Sequence, residues 1–445
     1  MTRGIYGELA VRLARRYKGK VALYPSVPVK HLQDFSVWYT PGVAEVSRRI
    51  AEDPEESFEL TGRWNTIAIV TDGTRVLGLG DVGPEAALAV MEGKALLFRY
   101  LGGVNAYPLP VAERSVEGIE RVVKALAPAL GGVNLEDIES PKCFRLLDTL
   151  REEMEIPVWH DDQQGTAGAV LAALFNALKL VGKRLGEVSI AMVGAGAANV
   201  ATLRLLLEAG ADPEKIYVSD SRGILHRGRP DLEELREKNP WKYWIATHTN
   251  GEGRSGGIPE AMRGADVLIA ASRPKPGLIR KEWVRLMADR PIVFALANPD
   301  PEIWPSDAEE AGAAVVATGR SDFPNQVNNS LVFPGVFRGA LDSRARKITD
   351  GMVVEAAREL ASYAEEKGLR RDYIIPRMSD WDVYPRVAAA VAAKAAEEGV
   401  ARKPRSREEE LRVAAEIIEA ARRGLSALME SSVVTDAPEL EEVRR

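Results

Sequence analysis

Residues 188–199 read Val-Ser-Ile-Ala-Met-Val-Gly-Ala-Gly-Ala-Ala-Asn, and no other stretch limits the fold so tightly. An apolar run without polar alternation is a strand covered on both faces, which occurs where helices flank a parallel sheet. The Gly-x-Gly that follows permits a sharp turn, and the alanine-rich residues behind it begin a helix. A second apolar strand, 215–219, ends on Asp220, roughly 20 residues after the glycines. Strand, turn, helix, strand and acid in this order are the dinucleotide fingerprint: the pyrophosphate sits on the helix N-terminus and the acid meets the adenosine ribose. The candidate contacts are Gly194, Ala195, Gly196, Ala197, Asn199, Asp220, Ser221 and Arg222, with Asn199 where a third glycine is usual.

Upstream, residues 157–169 read Pro-Val-Trp-His-Asp-Asp-Gln-Gln-Gly-Thr-Ala-Gly-Ala, a buried strand ending in two acids before a helix start. Paired carboxylates at a strand end repel each other unless a cation or a buried base compensates. Glu136-Asp137 also follows a short apolar run, so four acids on two strand ends suit one hard-cation site. Oxygen ligands favour Mg²⁺ or Mn²⁺ over zinc, because the chain holds one cysteine and four histidines, none of them in ligand spacing.

The remaining chain alternates α and β. Residues 65–70 read as a strand, Asp72-Gly73 as a turn and 76–83 as its hairpin partner. Pro84 and Glu85 open an alanine-rich helix bearing Lys94, which is either a snorkelling surface residue or a buried amine whose apolar setting lowers its pKa toward that of a base. Tyr39, before Thr40-Pro41, belongs at a helix entrance, where tyrosine ordinarily packs with a wet tip. Asn298 and Asn329 follow later strands, at the end of a doubly wound sheet where ligands bind. Beyond Pro334 the chain reads as helices, the last of them 407–431, charged and amphipathic. The expected fold is α/β: a Rossmann-like doubly wound domain at 162–334, and a second α/β domain at 1–161 completed by helices from 335–445. Interspersed charges and a net charge of −6 argue against nucleic acid as partner. No apolar run approaches the roughly 18 residues of a membrane span, and one cysteine, Cys143, fits a reducing compartment, so a cytoplasmic location is expected.

With these residues assembled, the chain resembles the malic enzymes of the compact prokaryotic type over most of residues 25–400. The matching motifs are Tyr39-Thr40-Pro41-Gly42-Val43-Ala44, Thr71-Asp72-Gly73 with Leu77-Gly78-Leu79-Gly80, Asn134-Leu135-Glu136-Asp137, His160-Asp161-Asp162-Gln163, Phe294 to Pro299, and Asn328-Asn329 before Phe333-Pro334-Gly335. The resemblance implies oxidative decarboxylation of malate with NAD or NADP. It makes Lys94 the base for the C2 hydroxyl, Tyr39 the acid that protonates C3, and Asp161 a support for the base. It further makes Glu136, Asp137 and Asp162 ligands of Mg²⁺ or Mn²⁺, Arg75 the residue on a substrate carboxylate, and Asn298 and Asn329 substrate contacts near the nicotinamide. Gln164, where compact relatives commonly carry histidine, Asn199 and the tail after Pro404 depart from the pattern. Asp220 favours NAD, whereas Arg222, Arg227 and Arg229 suit a 2′-phosphate, so use of both coenzymes is expected. The family implies a homodimer or larger assembly, with sites completed from two subunits. Conversion of malate to lactate without net redox change, or nucleotide sensing without catalysis, are the alternatives.

Overall fold

The computed structural model describes residues 2–441 apart from Leu77, with the side chains of residues 2–5 left aside; Leu77 of the glycine-rich motif lies outside the described residues. Two parallel sheets organise the chain. The first comprises β1 (Thr66–Thr71), β2 (Asn105–Pro110), β3 (Gly132–Leu135) and β4 (Val158–His160), in the order β2-β1-β3-β4. The second comprises β5 (Ile190–Val193), β6 (Ile216–Asp220), β7 (Gly223–Ile224), β8 (Val267–Ala270), β9 (Ile292–Ala295) and β10 (Val315–Thr318), in the order β10-β9-β8-β5-β6-β7. Only β7 runs antiparallel to its neighbour. Every residue of β1, β3, β4, β5, β8, β9 and β10 is buried, as strands covered on both faces require.

The strand order reverses once in each sheet, between β1 and β3 and between β5 and β8. A crevice opens at the carboxyl ends of the strands at such a reversal, because the connections on its two sides leave toward opposite faces. Those ends carry Asp72 to Arg75 and Glu136-Asp137 in the first sheet, and the Gly194 turn and Ala271-Ser272 in the second.

The hairpin expected at 65–83 does not form. Both edges of β1 are taken by parallel partners, and residues 72–83 make a loop with one isolated bridge, Val76 to Gly80. Asp-Gly does reverse the chain, but the reversal closes on the Gly73 carbonyl, which accepts from the N–H groups of Val82 and Gly83 at 3.1 and 3.2 Å. Gly73 has φ of 70°, and a Cβ there would lie 2.3 Å from the Gly83 carbonyl oxygen, so no other residue fits.

The helix Thr166–Val181 crosses from one sheet to the other. With the turn before it, 161–181 is long and apolar enough to cross a membrane, contrary to the expectation that no such run exists, and 78% of its apolar window is buried inside the molecule. Its side chains join those of both sheets in one hydrophobic core. Four helices follow: Phe333–Asp342, Val383–Glu397 and Arg407–Glu430 return onto Pro84–Gly102 of the first half, while Asp350–Glu366 packs on Thr166–Val181 and Ala197–Glu208. Phe333 and Phe337 pack on Phe98 of the helix Pro84–Gly102, with ring centroids 4.5 and 5.2 Å away. The final helix sits on the same element, where the Arg422 guanidinium donates to the Tyr100 carbonyl at 3.0 Å and lies 4.1 Å above the Trp381 ring.

Candidate active site

β3 and β4 are adjacent and in register, Leu135 opposite His160, so the acids that follow them emerge side by side. One oxygen from each of Glu136, Asp137 and Asp162 lies within 4.8 Å of the other two. That spacing suits oxygens around a divalent ion at roughly 2.0–2.6 Å each. Backbone geometry sets the cluster: Asp137 adopts φ of 53°, its N–H donates to Asp162 Oδ2 at 2.9 Å, and its carbonyl accepts from the Arg75 N–H at 3.0 Å. Asn134 Nδ2 donates to Glu136 Oε2 at 2.8 Å.

Lys94 projects into this group from Pro84–Gly102. Its ammonium pairs with Asp161, lies 3.1 Å from Glu136 Oε1 and stands 4.3 Å over the Phe333 ring. The amine is therefore buried rather than snorkelling. Its expected low pKa is corrected. Burial, the largest influence, does press the pKa down, but Asp161, Glu136 and Asp162 together outweigh it and hold the ammonium above the ordinary lysine range. Burial and the neighbouring acids push Glu136 well above the usual carboxylate range despite Lys94. Four acids against one ammonium leave a deficit of positive charge that a divalent cation would fill, so these residues fit Mg²⁺ or Mn²⁺. Asp161, fully buried, also accepts from the Trp159 indole N–H at 3.0 Å. Behind the acids, burial lowers the pKa of His160.

Arg75, Lys94, Glu136, Asp137, Asp162, Gly196, Ala197, Asn298 and Asn329 all line one cavity of about 1120 Å³. At its nucleotide side Gly194 has φ of 101°, and a Cβ there would lie 2.5 Å from the Ala271 carbonyl oxygen. A Cβ on Gly196 would meet nothing within 4 Å, which leaves room before the N-terminus of the helix Ala197–Glu208. Asn199 does not reach outward: its buried amide donates to the carbonyls of Val193 and Gly194 at 3.0 and 2.9 Å, bracing the turn a third glycine would otherwise complete.

Two groups of expected residues stand apart from that cavity. Tyr39 is 69% exposed, on a stretch where Leu23, Leu32, Phe35 and Val37 are also exposed, and it does not line the cavity. Asp220, Ser221 and Arg222 do not line it either. Asp220 already accepts from the Arg222 N–H at 2.9 Å, Arg229 Nη1 at 2.9 Å and Lys242 Nζ at 3.0 Å, while Arg222 pairs with Asp231 and Glu234. Burial pushes the Asp220 pKa up, and these donors together pull it below the usual range. Asp220 and Arg222 therefore each already hold partners within the chain, Arg229 and Lys242 on the acid and Asp231 and Glu234 on the arginine. Lys242 and Trp159 were not legible as site residues, since nothing in their spacing signals the contact they make.

Two family models match this chain: the malic enzyme N-terminal domain at residues 18–114 and the malic enzyme NAD binding domain at residues 163–396. The bifunctional malic/malolactic enzyme of Bacillus subtilis (strain 168) is 48% identical over 395 residues, covering 89% of this chain and 94% of that protein. The NADP-dependent malic enzyme of Halomonas elongata is 42% identical over 406 residues, covering 88% and 93%. The crystal structure of the Entamoeba histolytica malic enzyme superposes with a TM-score of 0.94 at 45% identity, covering 98% of this chain and 91% of that one. Across both of its sheets, and through the elements that carry the acids, the lysine and the glycine turn, this chain belongs to the malic enzyme family.

Proposed function

We propose that this protein oxidises and decarboxylates malate to pyruvate and CO₂ while reducing NAD or NADP. The observation that carries the reading is a single cavity holding a lysine amine and a carboxylate cluster together with a glycine turn at a helix N-terminus. Oxidation of a 2-hydroxy acid needs a base at the hydroxyl and a hydride acceptor beside the same carbon. Glu136, Asp137 and Asp162 would hold Mg²⁺ or Mn²⁺, which when bound supplies Lewis acidity at the C2 oxygen and cancels the negative field that keeps Lys94 protonated. Lys94 takes the C2 hydroxyl proton, and Asp161 fixes the amine and stabilises the ammonium that results. Arg75 holds a substrate carboxylate, while Asn298 and Asn329 orient malate toward the nicotinamide. The glycine turn at 194–196, with Ala195 and Ala197, receives the pyrophosphate.

After CO₂ leaves, C3 must gain a proton, and Tyr39 supplies it. Its exposure here, on a segment with many exposed apolar side chains, supports a homodimer in which a second copy covers that segment and receives Tyr39 at its cavity. Separate sheets before and after residue 162 support a division into 1–161 with 335–445 and 162–334. A net charge of −6 supports a small-molecule enzyme rather than a nucleic-acid partner, and a single cysteine supports a reducing compartment such as the cytoplasm.

Assay of malate with Mn²⁺ and each coenzyme, reading reduced nicotinamide and pyruvate together, tests the proposal. Equal amounts of both products are expected. Lactate without reduced coenzyme would replace it with the malolactic reading, an activity that the name of the Bacillus subtilis relative gives beside the malic one. Coenzyme binding without any turnover would replace it with a sensing role.

A further inference from the structure

Asp72 and Lys142 form a buried ion pair to which the mechanism gives no task. Asp72 is fully buried and the Lys142 side chain 12% exposed. Replacing such a pair by apolar groups is often neutral, so stability alone does not explain it. Its connections do. The other oxygen of Asp72 accepts from the Thr74 N–H at 3.1 Å and the Thr74 hydroxyl at 2.6 Å. With its proton directed to Asp72, the Thr74 oxygen accepts from the Glu139 N–H at 3.0 Å. Lys142 stands three residues beyond Glu139, and the Arg75 N–H donates to the Asp137 carbonyl at 3.0 Å. The turn that presents Arg75 and the loop that presents Glu136 and Asp137 are thus closed into one ring, with the ion pair as its clasp. Lys142 Nζ also donates to the Arg114 carbonyl at 3.2 Å, which ties a third loop to the same point.

We propose that Asp72 and Lys142 are positioning residues that lock the Arg75 turn to the metal-binding loop, setting the distance between the substrate carboxylate and the divalent cation. The proposal rests on the assignment of Arg75 and the acid cluster made above. Lys142→Met and Asp72→Asn are each expected to weaken Mn²⁺ binding, measured by titration without malate, and to raise the KM for malate, both by about tenfold, as loss of a ligand's supporting contact does. The dissociation constant of the coenzyme should stay within about twofold, since the clasp touches only the first sheet, and Lys142→Arg should restore most of the Mn²⁺ affinity. The double variant Asp72→Asn/Lys142→Met removes both buried charges and so avoids leaving one unpaired. If that variant folds cooperatively and binds Mn²⁺ and malate within about twofold of the parent, the clasp has no positioning role. Arg75→Met separates the underlying assignment: an unchanged KM for malate there would sink the role of Arg75, while the Mn²⁺ titrations still decide the clasp.

Discussion

At the scale of single residues, Lys94 shows how environment can reverse what burial alone would do. A buried lysine ordinarily loses its proton readily, but three carboxylates around this one hold it charged. With a divalent cation on Glu136, Asp137 and Asp162 that field would be cancelled and the amine would be available as the base, so Lys94→Ala should lower malate oxidation by about 10³-fold or more, while coenzyme affinity, measured by nicotinamide fluorescence, stays nearly intact; near-normal turnover would remove Lys94 as the base. Lys242 carries a second prediction. It neutralises Asp220 from a separate helix, Pro240–His248, so that the acid offers less repulsion to a 2′-phosphate than its position implies. The parent is expected to use both coenzymes with kcat/KM within about 10³ of each other, some 4 kcal/mol. In Lys242→Glu the NADP to NAD ratio of kcat/KM should fall at least about tenfold, and an unchanged ratio would show that Lys242 does not influence the choice.

At the scale of elements, the last helix is more than a solvated charge run. Ser406 caps it, its side chain accepting from the Glu409 N–H at 3.1 Å, and Glu410 on its first turn is 1% exposed. Burial, then the neighbouring Asp342 carboxylate, raise the Glu410 pKa from 4.5 to about 8, while Arg405 at 3.0 Å opposes them. A carboxyl with a raised folded-state pKa keeps a proton that the unfolded chain has released. Stability falls as pH rises from 4.5 to about 8 and levels off above that. Thermal unfolding across this window should show a loss on the order of 2 kcal/mol, and Glu410→Gln, which stays neutral, should flatten it. A parent insensitive to pH in this range would contradict the assignment. This helix also explains the tail beyond Pro404, which lay outside the family pattern: it clamps the helix that bears Lys94.

At the scale of the molecule, two sheets place their crevices against one cavity, yet the residue proposed as the proton donor to carbon lies outside it. Exposed Leu23, Leu32, Phe35 and Val37 surround the segment that leads to Tyr39. If a second copy covers them, Leu32→Asp should shift the protein to monomers in sedimentation, and pyruvate formation should fall at least about tenfold, while coenzyme still binds. A Leu32→Asp protein that remains dimeric and fully active would place Tyr39, and the assembly, elsewhere.

Strands β3, β4 and β5, the helix starts after Pro84 and Gly165, and the acids at strand ends could all be read from the chain alone. Each depends on residues adjacent in sequence: an apolar run, a glycine that permits a turn, a proline that suits a first helical turn. What only the folded chain decided depends on neighbours far apart in sequence. Both edges of β1 were claimed by parallel partners, so the hairpin at 72–83 gave way to a loop. Asp220 was taken by Arg229 and Lys242, Asn199 turned inward to hold the glycine turn, and Lys94 kept its proton because Asp161 and Glu136, more than forty residues downstream, lie against it. Periodicity and spacing report backbone conformation, which is local, whereas charge state and hydrogen-bond partnership are set by whatever the tertiary fold brings within a few ångströms.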